Sequence, residues 1–247
     1  GIDPFIEDEE ITLPGGPNDR SEANISKIVT ANGFIYCLQN QGGTDAVRRA
    51  ATAAGAFSSV TGLATTLIDI TTDGETVWVS DGTQIESFTG TGAATQFSTF
   101  NADVIGFAQG RLLAVDTAAK DTIHEIDSVG ANTVVWQNNL MPTFEWKLIV
   151  ASPVGIYVFG DAGDRSYGYL IQVADATGEL IPPYQVMELP AGETLNAAHH
   201  YGGLFVLGTS RGLRLATIQG TSGFLTFGPV IEIPNGVPSL VARGEDI

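Results

Sequence analysis

The feature that most constrains this chain is a pattern that occurs six times: an apolar strand, a tight turn containing glycine, and a second apolar strand. The turn glycines are 41, 36, 45, 48 and 41 residues apart, at positions 33, 74, 110, 155, 203 and 244. Repeats of about 40–50 residues with four strands each are typical of β-propeller blades. The Asn-Gly at 32–33 and the Asp-Gly at 73–74 are strong hairpin dipeptides, because glycine adopts a positive φ without steric penalty.

Two further segments with strand character complete each repeat. In repeats two to five they lie at 84–88 and 95–100, 122–126 and 133–136, 167–173 and 184–188, and 212–218 and 230–233. The outer segments alternate apolar and polar residues, whereas the inner ones are more uniformly apolar, as in a sheet that packs on both faces. We therefore predict an all-β fold, a β-propeller of four-stranded antiparallel blades with five full repeats plus part of a sixth. A β-sandwich is the alternative fold.

The domain prediction divides the chain at residue 24. Residues 1–24 form an N-terminal segment, in which 10–13 (Glu-Ile-Thr-Leu) have the pattern of an outer strand that closes the last blade. Residues 25–247 form the propeller, with a sixth repeat beginning at Leu240, and we expect the native protein to be longer. The first repeat is the least regular: 47–51 is predicted as its third strand, although the Ala-rich stretch 46–62 also suits a helical turn.

Charge and composition exclude several classes of function. The formal net charge is −17, with only 11 Lys and Arg residues, so the clustered basic residues needed to bind nucleic acid are not present. The same sign disfavours an anionic membrane surface, and no apolar run approaches the roughly 20 residues of a membrane helix. The single cysteine, Cys37, lies in an apolar strand-like run and is expected to be a buried structural thiol. No cofactor is predicted.

Polar turns after the second strands supply the candidate binding residues. Asp81, Asp116, Asp161 and Ser210 follow their turn glycines by 7, 6, 6 and 7 residues. In a propeller these turns gather on one face, so the carboxylates are candidates to surround the mouth of the central channel, together with Asp164 and Arg211. The alternative is that Asp and Ser only bond their own turn backbone. The 161–164 turn lacks the ligand density of a calcium loop.

Other motifs favour structural roles. Residues 208–212 read Gly-Thr-Ser-Arg-Gly, the hydrolase nucleophile pattern, but strands flank it where a strand-to-helix elbow is required. His199 and His200 are neighbours on a strand and point to opposite faces, and His124 is isolated, so no metal site is predicted. The large aromatics are expected in the core, although exposed ones would stack on sugars; they are Trp78, Trp136, Trp146, Tyr157, Tyr167 and Tyr169.

A family resemblance covers residues 145–247. The segments 189–194 (Leu-Pro-Ala-Gly-Glu-Thr), 203–209 (Gly-Leu-Phe-Val-Leu-Gly-Thr) and 225–233 resemble the propeller region of minor tail proteins from long-tailed phages of actinobacteria. The run 155–160 resembles the preceding blade of that family, and the first half of the chain resembles it only in repeat shape. These are blade-forming patterns, so the resemblance implies a virion component of the tail tip and transfers no catalytic residue.

Three functions follow as hypotheses. The first is a non-enzymatic structural and interaction module of a phage tail tip, which docks on other tail proteins and contacts a host surface glycan. The second is a polysaccharide-acting enzyme or glycan-binding lectin, for which a carboxylate pair in a cleft is needed. The third is a secreted bacterial propeller that binds a protein or small ligand, with an extracellular location in place of the virion.

Overall fold

The structure is a computed structural model that describes residues 25–40, 44–51, 56–174, 176–234 and 236–237. The described part of the chain forms five antiparallel sheets, four of them with four consecutive strands and the last with a fifth short strand, and these are the blades of a β-propeller. The predicted fold class is therefore confirmed. The predicted closing strand at 10–13 and the sixth repeat from Leu240 lie outside the described residues.

Each blade contains four strands in sequence order, and blade 5 contains one more short strand. Blade 1 consists of β1 (Ile25–Ala31), β2 (Phe34–Gln39), β3 (Ala46–Ala50) and β4 (Ser58–Ser59). Blade 2 consists of β5 (Asp69–Thr72), β6 (Thr76–Ser80), β7 (Ile85–Thr89) and β8 (Thr95–Ser98). Blade 3 consists of β9 (Ala102–Ala108), β10 (Arg111–Asp116), β11 (Thr122–Ile126) and β12 (Asn132–Gln137). Blade 4 consists of β13 (Glu145–Ser152), β14 (Gly155–Ala162), β15 (Arg165–Ile171) and β16 (Tyr184–Glu188). Blade 5 consists of β17 (Leu195–Tyr201), β18 (Leu204–Thr209), β19 (Gly212–Gln219), β20 (Phe224–Phe227) and β21 (Ile231–Glu232).

The turns between first and second strands are built as their sequences predict. Gly33 and Gly74 have φ of +73° and +96°, the left-handed region that glycine enters without a Cβ clash. Ala31 pairs with Phe34 across the first of these turns, which leaves a two-residue connection. The hairpin that begins each blade is therefore specified locally.

Blade 5 departs from the prediction in its outer strand. The sequence pattern suggested residues 230–233, but the fourth strand is β20, which pairs with the end of β19. The predicted segment instead supplies β21, two residues that pair with Gly212 and Leu213 at the start of β19. Because β19 is eight residues long, its free edge accommodates both short strands.

The hydrophobic core is divided into one cluster per blade interface. Tyr36 and Leu38 of blade 1 pack with Val77 and Phe88 of blade 2. Separate clusters join blades 2 and 3, blades 3 and 4, and blades 4 and 5. Burial of both faces of a blade explains why the second strands are apolar on both sides: β10 carries four consecutive buried residues and β14 six.

Neighbouring first strands pack closely around the axis. A Cβ placed on Gly106 of β9 would lie 2.5 Å from Cβ of Ile149 on β13, so only glycine allows this approach. Between blades 2 and 3, Ile105 N donates to Oδ2 of Asp69 at 2.9 Å, and Phe107 N donates to Oγ1 of Thr71 at 3.0 Å. These contacts hold the first strands side by side and so shape the channel that they enclose.

Candidate functional site

An axial channel runs between the five first strands. Two adjoining cavities occupy it, one of about 310 Å³ at the ends where the first strands begin and one of about 440 Å³ towards the ends where they finish. Residues of β1, β5, β9, β13 and β17 line both cavities. A concave site with contributions from every blade is where a propeller can bring many side chains to one ligand.

The mouth of the smaller cavity carries polar side chains from all five described blades: Ser26, and five further residues that lie on five different blades. These five residues, which we call the polar ring, are Lys27, Asp69, Asp103, Lys147 and Asn196. Each lies within the first three residues of its strand, so all five are found at the end of the channel where the first strands begin. The polar ring thus results from the repeat itself, with a different side chain in each copy.

The lysines of the sequence are concentrated at this mouth. The chain contains three, at 27, 120 and 147, although its formal charge is −17. Lys27 and Lys147 belong to the polar ring, and Lys120, in the turn after β10, lies 3.2 Å from Oδ2 of Asp103. Lysine is therefore absent from every other part of the sequence, and the mouth differs in charge character from the rest of the protein.

Each lysine is paired with a carboxylate. Lys27 Nζ lies 2.7 Å from Oδ1 of Asp69, which links blades 1 and 2, and Lys147 Nζ lies 2.7 Å from Oε2 of Glu145. The hydrogen bond from Lys147 holds the pKa of Glu145 below its usual range. The hydrogen bond to Asp103, helped by the nearby Glu145, raises the pKa of Lys120. The three lysines and the three carboxylates form matched ion pairs, and their formal charges cancel.

Below the polar ring the channel becomes apolar. Ile149, Val150 and Ala198 line both cavities and form what we call the apolar floor of the mouth. The far cavity is lined in addition by His199 and His200, and burial lowers the pKa of both imidazoles. Both histidines are therefore neutral at neutral pH.

Two of the predicted aspartates are occupied by their own turns. Oδ1 of Asp81 accepts hydrogen bonds from the backbone N–H groups of Thr83 and Gln84, both at 2.7 Å. Oδ1 of Asp116 accepts one from Ala118 N at 2.8 Å. Asp116 pairs with Ala102 at the start of β9, so its turn lies on the same face as the mouth but one strand further out. The channel mouth itself is lined by first-strand residues instead.

Asp161 lies beside the charged groups of the mouth. It pairs with Glu145 across β13 and β14, and the charges of Lys147 and Glu145 both act on it. Burial raises the pKa of its carboxyl group, and a hydrogen bond from the Ser166 hydroxyl opposes that shift. Of the predicted site residues, Asp161 is thus the one that the structure connects to the lysine pairs.

The remaining predicted residues lie on the same face in blades 4 and 5. The carbonyl oxygen of Asp164 accepts a hydrogen bond from Gly192 N at 3.0 Å. Ser210 Oγ accepts one from Thr194 N at 3.1 Å, and the positive charge of Arg211 helps to lower the pKa of Glu193. Ser210 and Arg211 form the hairpin turn between β18 and β19, so the Gly-x-Ser-x-Gly pattern is a turn here.

Most of the other conspicuous side chains are part of the core. Trp78, Trp146, Tyr157 and Tyr169 are buried, as predicted, whereas Trp136 and Tyr167 are half-buried. His124 is buried against Phe100, and Cys37 is buried in β2. Within the ranges that the structure describes, no three His, Cys, Asp or Glu side chains form a potential metal site, and no helix has the length and apolarity to span a membrane.

Sequence reasoning missed the polar ring because it concentrated on turns. The signal was nonetheless present: a polar or charged residue at the start of each first strand interrupts an otherwise apolar run. Because Asp69 pairs with Ser80, directly before Asp81, the predicted turn and the actual channel residue are adjacent across one hairpin.

Comparisons with known proteins support the fold. The sequence matches no protein-family model, and no curated protein is similar to it. Among solved structures, it is similar to the extracellular domain of a one-component system from B. thetaiotaomicron, with a TM-score of 0.63 and 14% identity over 90% of this chain and 30% of that one. It is also similar to an auxiliary nutrient binding protein from Bacteroides thetaiotaomicron, with a TM-score of 0.60 and 13% identity over 83% of this chain and 56% of that one. The similarity to puromycin hydrolase has a TM-score of 0.56 and 10% identity, over 82% of this chain and 38% of that one.

These similarities concern architecture. The chain spans between 30% and 56% of the length of the first two structures, and its identity to all three is low. Because propellers with the same blades perform unrelated tasks, the resemblance shows the fold alone. The residues at the channel mouth must carry any argument about the ligand.

Proposed function

We propose that this chain is a non-catalytic binding module that uses the face carrying the channel mouth. The observation that carries the proposal is the polar ring, in which five blades each direct a polar side chain to one cavity. Its Asp69 accepts hydrogen bonds from two backbone N–H groups and from Lys27, so this carboxylate is engaged in holding the blades. Such a site is suited to recognition more than to proton transfer.

The narrower proposal places this module in the tail tip of a long-tailed phage. There it docks on other tail proteins and contacts the host cell envelope. The support is the resemblance of residues 145–247 to minor tail proteins. The exposed apolar side chains of blade 5, such as Leu215 and Ile231, also suit contact with a neighbouring protein.

Electron microscopy of the particle whose genome encodes the chain tests the location. We expect propeller-shaped density of five or more blades at the tail tip, with antibody raised against the chain bound at the same end. Particles that lack both would refute the tail-tip proposal. Hydrolysis of envelope polysaccharides by the purified chain would refute the non-catalytic proposal.

A second candidate is a secreted or surface-bound bacterial propeller that binds a small ligand. It is favoured by the similarity to an extracellular domain and to a nutrient binding protein, which have the same architecture. The neighbouring genes separate the two candidates, because tail genes on both sides support the first and transport or sensor genes support the second.

A further inference from the structure

The charge balance of the channel mouth indicates which kind of ligand fits it. Around the mouth, Lys27, Lys120 and Lys147 are paired at 2.7–3.2 Å with Asp69, Asp103 and Glu145. An anionic ligand would have to displace these carboxylates from their lysines and approach a protein with a net charge of −17. A cationic ligand would have to displace the lysines from the same carboxylates. The mouth therefore favours a ligand without net charge.

Paired charges remain good hydrogen-bonding groups for a neutral ligand. An ammonium group has three donor hydrogens, and a carboxylate accepts at about four lone pairs, so one ion pair leaves capacity on both partners. Lys147 and Glu145 are each 42% exposed, and Lys27 is 43% exposed, so this capacity faces solvent. A ligand rich in hydroxyl groups, each both donor and acceptor, matches such a rim.

The apolar floor adds a second requirement. Ile149, Val150 and Ala198 lie below the polar ring in the same cavity of about 310 Å³. That volume is at the lower end of the range for small-molecule sites, which is about 300–1,000 Å³. A pyranose combines a rim of hydroxyl groups with C–H surfaces on the faces of its ring. A pyranose therefore matches both the polar ring, through its hydroxyl groups, and the apolar floor, through its C–H surfaces.

We propose that the polar ring and the apolar floor bind a neutral sugar unit of a glycan at the end of the channel where the first strands begin. This inference rests on the proposed binding function and assigns it a face and a ligand class. Lys147 and Asp103 supply the donor and the acceptor for sugar hydroxyls, and Asn196, whose Nδ2 donates to the carbonyl oxygen of Val237 at 3.2 Å, adds an amide oxygen from blade 5. Asp69 is a positioning residue, because its oxygens hold Lys27 and Ile105.

The test uses the full chain and an array of neutral and anionic bacterial glycans, followed by calorimetric titration with the best neutral oligosaccharide. Lys147→Gln and Asp103→Asn each remove one hydrogen-bonding charge from the polar ring. The matched control for Lys147→Gln is Arg165→Gln. Arg165 lies on the third strand of blade 4, and its ion pair with Glu188 has an exposure similar to that of the Lys147 pair. Thermal unfolding of each variant confirms that it is folded.

The expected result is binding of neutral glycans whose affinity changes little between low and high salt. Lys147→Gln and Asp103→Asn should each weaken the affinity for the neutral glycan by roughly tenfold or more, because each removes a hydrogen bond to a charged group. The affinity of the Arg165→Gln control should stay within about twofold of that of the unsubstituted chain. Lys147→Arg should retain most of the affinity because it keeps the donor. Binding of anionic glycans alone, no glycan binding, or equal effects of ring and control substitutions would overturn the inference. The tail-tip proposal is judged separately, since a chain located at the tail tip that binds no glycan refutes only the sugar site.

Discussion

The phenol of Tyr157 on blade 4 donates a hydrogen bond of 2.6 Å to the carbonyl oxygen of Gly223 on blade 5. Tyr36 makes the corresponding bond from blade 1 to Gly90 of blade 2, at 2.9 Å. In both cases a buried tyrosine of a second strand reaches the turn between the third and fourth strands of the next blade. The same polar connection thus joins two blade interfaces that are otherwise apolar, and burial raises the pKa of both phenols.

We expect Tyr157→Phe to lower the free energy of unfolding by about 1–3 kcal/mol, because the buried carbonyl of Gly223 loses its donor. Tyr36→Phe is the matched comparison and should cost less, since Arg49 Nη1 also donates to the carbonyl of Gly90 at 2.7 Å. Urea denaturation measures both values. Equal losses in the two variants would contradict the explanation.

The buried ion pair between Glu193 and Arg214 should make stability depend on pH. The guanidinium contacts both carboxylate oxygens at 2.7–2.8 Å, and Glu193 is fully buried. Arg214 lowers the pKa of Glu193 in the folded chain, so the stabilisation is present above the ordinary carboxyl pKa, about 4.3, and is lost as pH falls through the lower folded value.

Glu193→Gln should therefore destabilise the protein by about 3–5 kcal/mol at pH 7, because it leaves the cation of Arg214 buried without its counter-charge. The difference from the unsubstituted chain should shrink as the pH approaches 3, as urea midpoints measured from pH 7 to pH 3 would show. Glu188→Gln, in an exposed ion pair with Arg165, is the control and should change little at any pH. A difference that stays constant with pH would argue against the ion pair as the cause.

Gly106→Ala should destabilise the propeller by about 1–3 kcal/mol, the usual cost of overpacking, since the new methyl group would overlap Ile149 of the next blade. The control is Gly228→Ala, where the nearest atom to the added Cβ is the carbonyl oxygen of Leu215 at 3.9 Å. Thermal unfolding distinguishes the two. If both variants were equally stable, the first strands would not be packed as closely as described.

Substitutions of Asp81 test whether this residue stabilises its turn or contacts the ligand. Asp81→Ala should cost about 1 kcal/mol of stability, because two backbone N–H groups lose their acceptor, whereas Asp81→Asn keeps a side-chain oxygen and should cost less. Glycan affinity should be unchanged in both variants. Loss of glycan affinity in Asp81→Asn without loss of stability would indicate that the glycan binds at the turns after the second strands and not at the polar ring.

Much of the fold was predictable because its determinants are local. The turn glycines and the apolar periods of the second strands specify hairpins within about ten residues, and β11 and β16 begin and end where the sequence pattern places them. The outer strand of blade 5 was predicted at the wrong segment. Both candidate segments are apolar enough to pair, and β19 is long enough to pair with β20 at its end and with β21 at its start.

The sequence alone determined the number of blades in the described part of the chain, the strand order and the face on which the polar turns lie, since each depends on neighbours in the chain. The tertiary structure decided what surrounds the axis. Lys27, Asp69 and Lys147 are between 42 and 120 positions apart in the sequence, and only the arrangement of the blades around a common channel brings them to one mouth. The ion pair between Lys27 and Asp69 links separate hairpins, so hairpin patterns do not predict it.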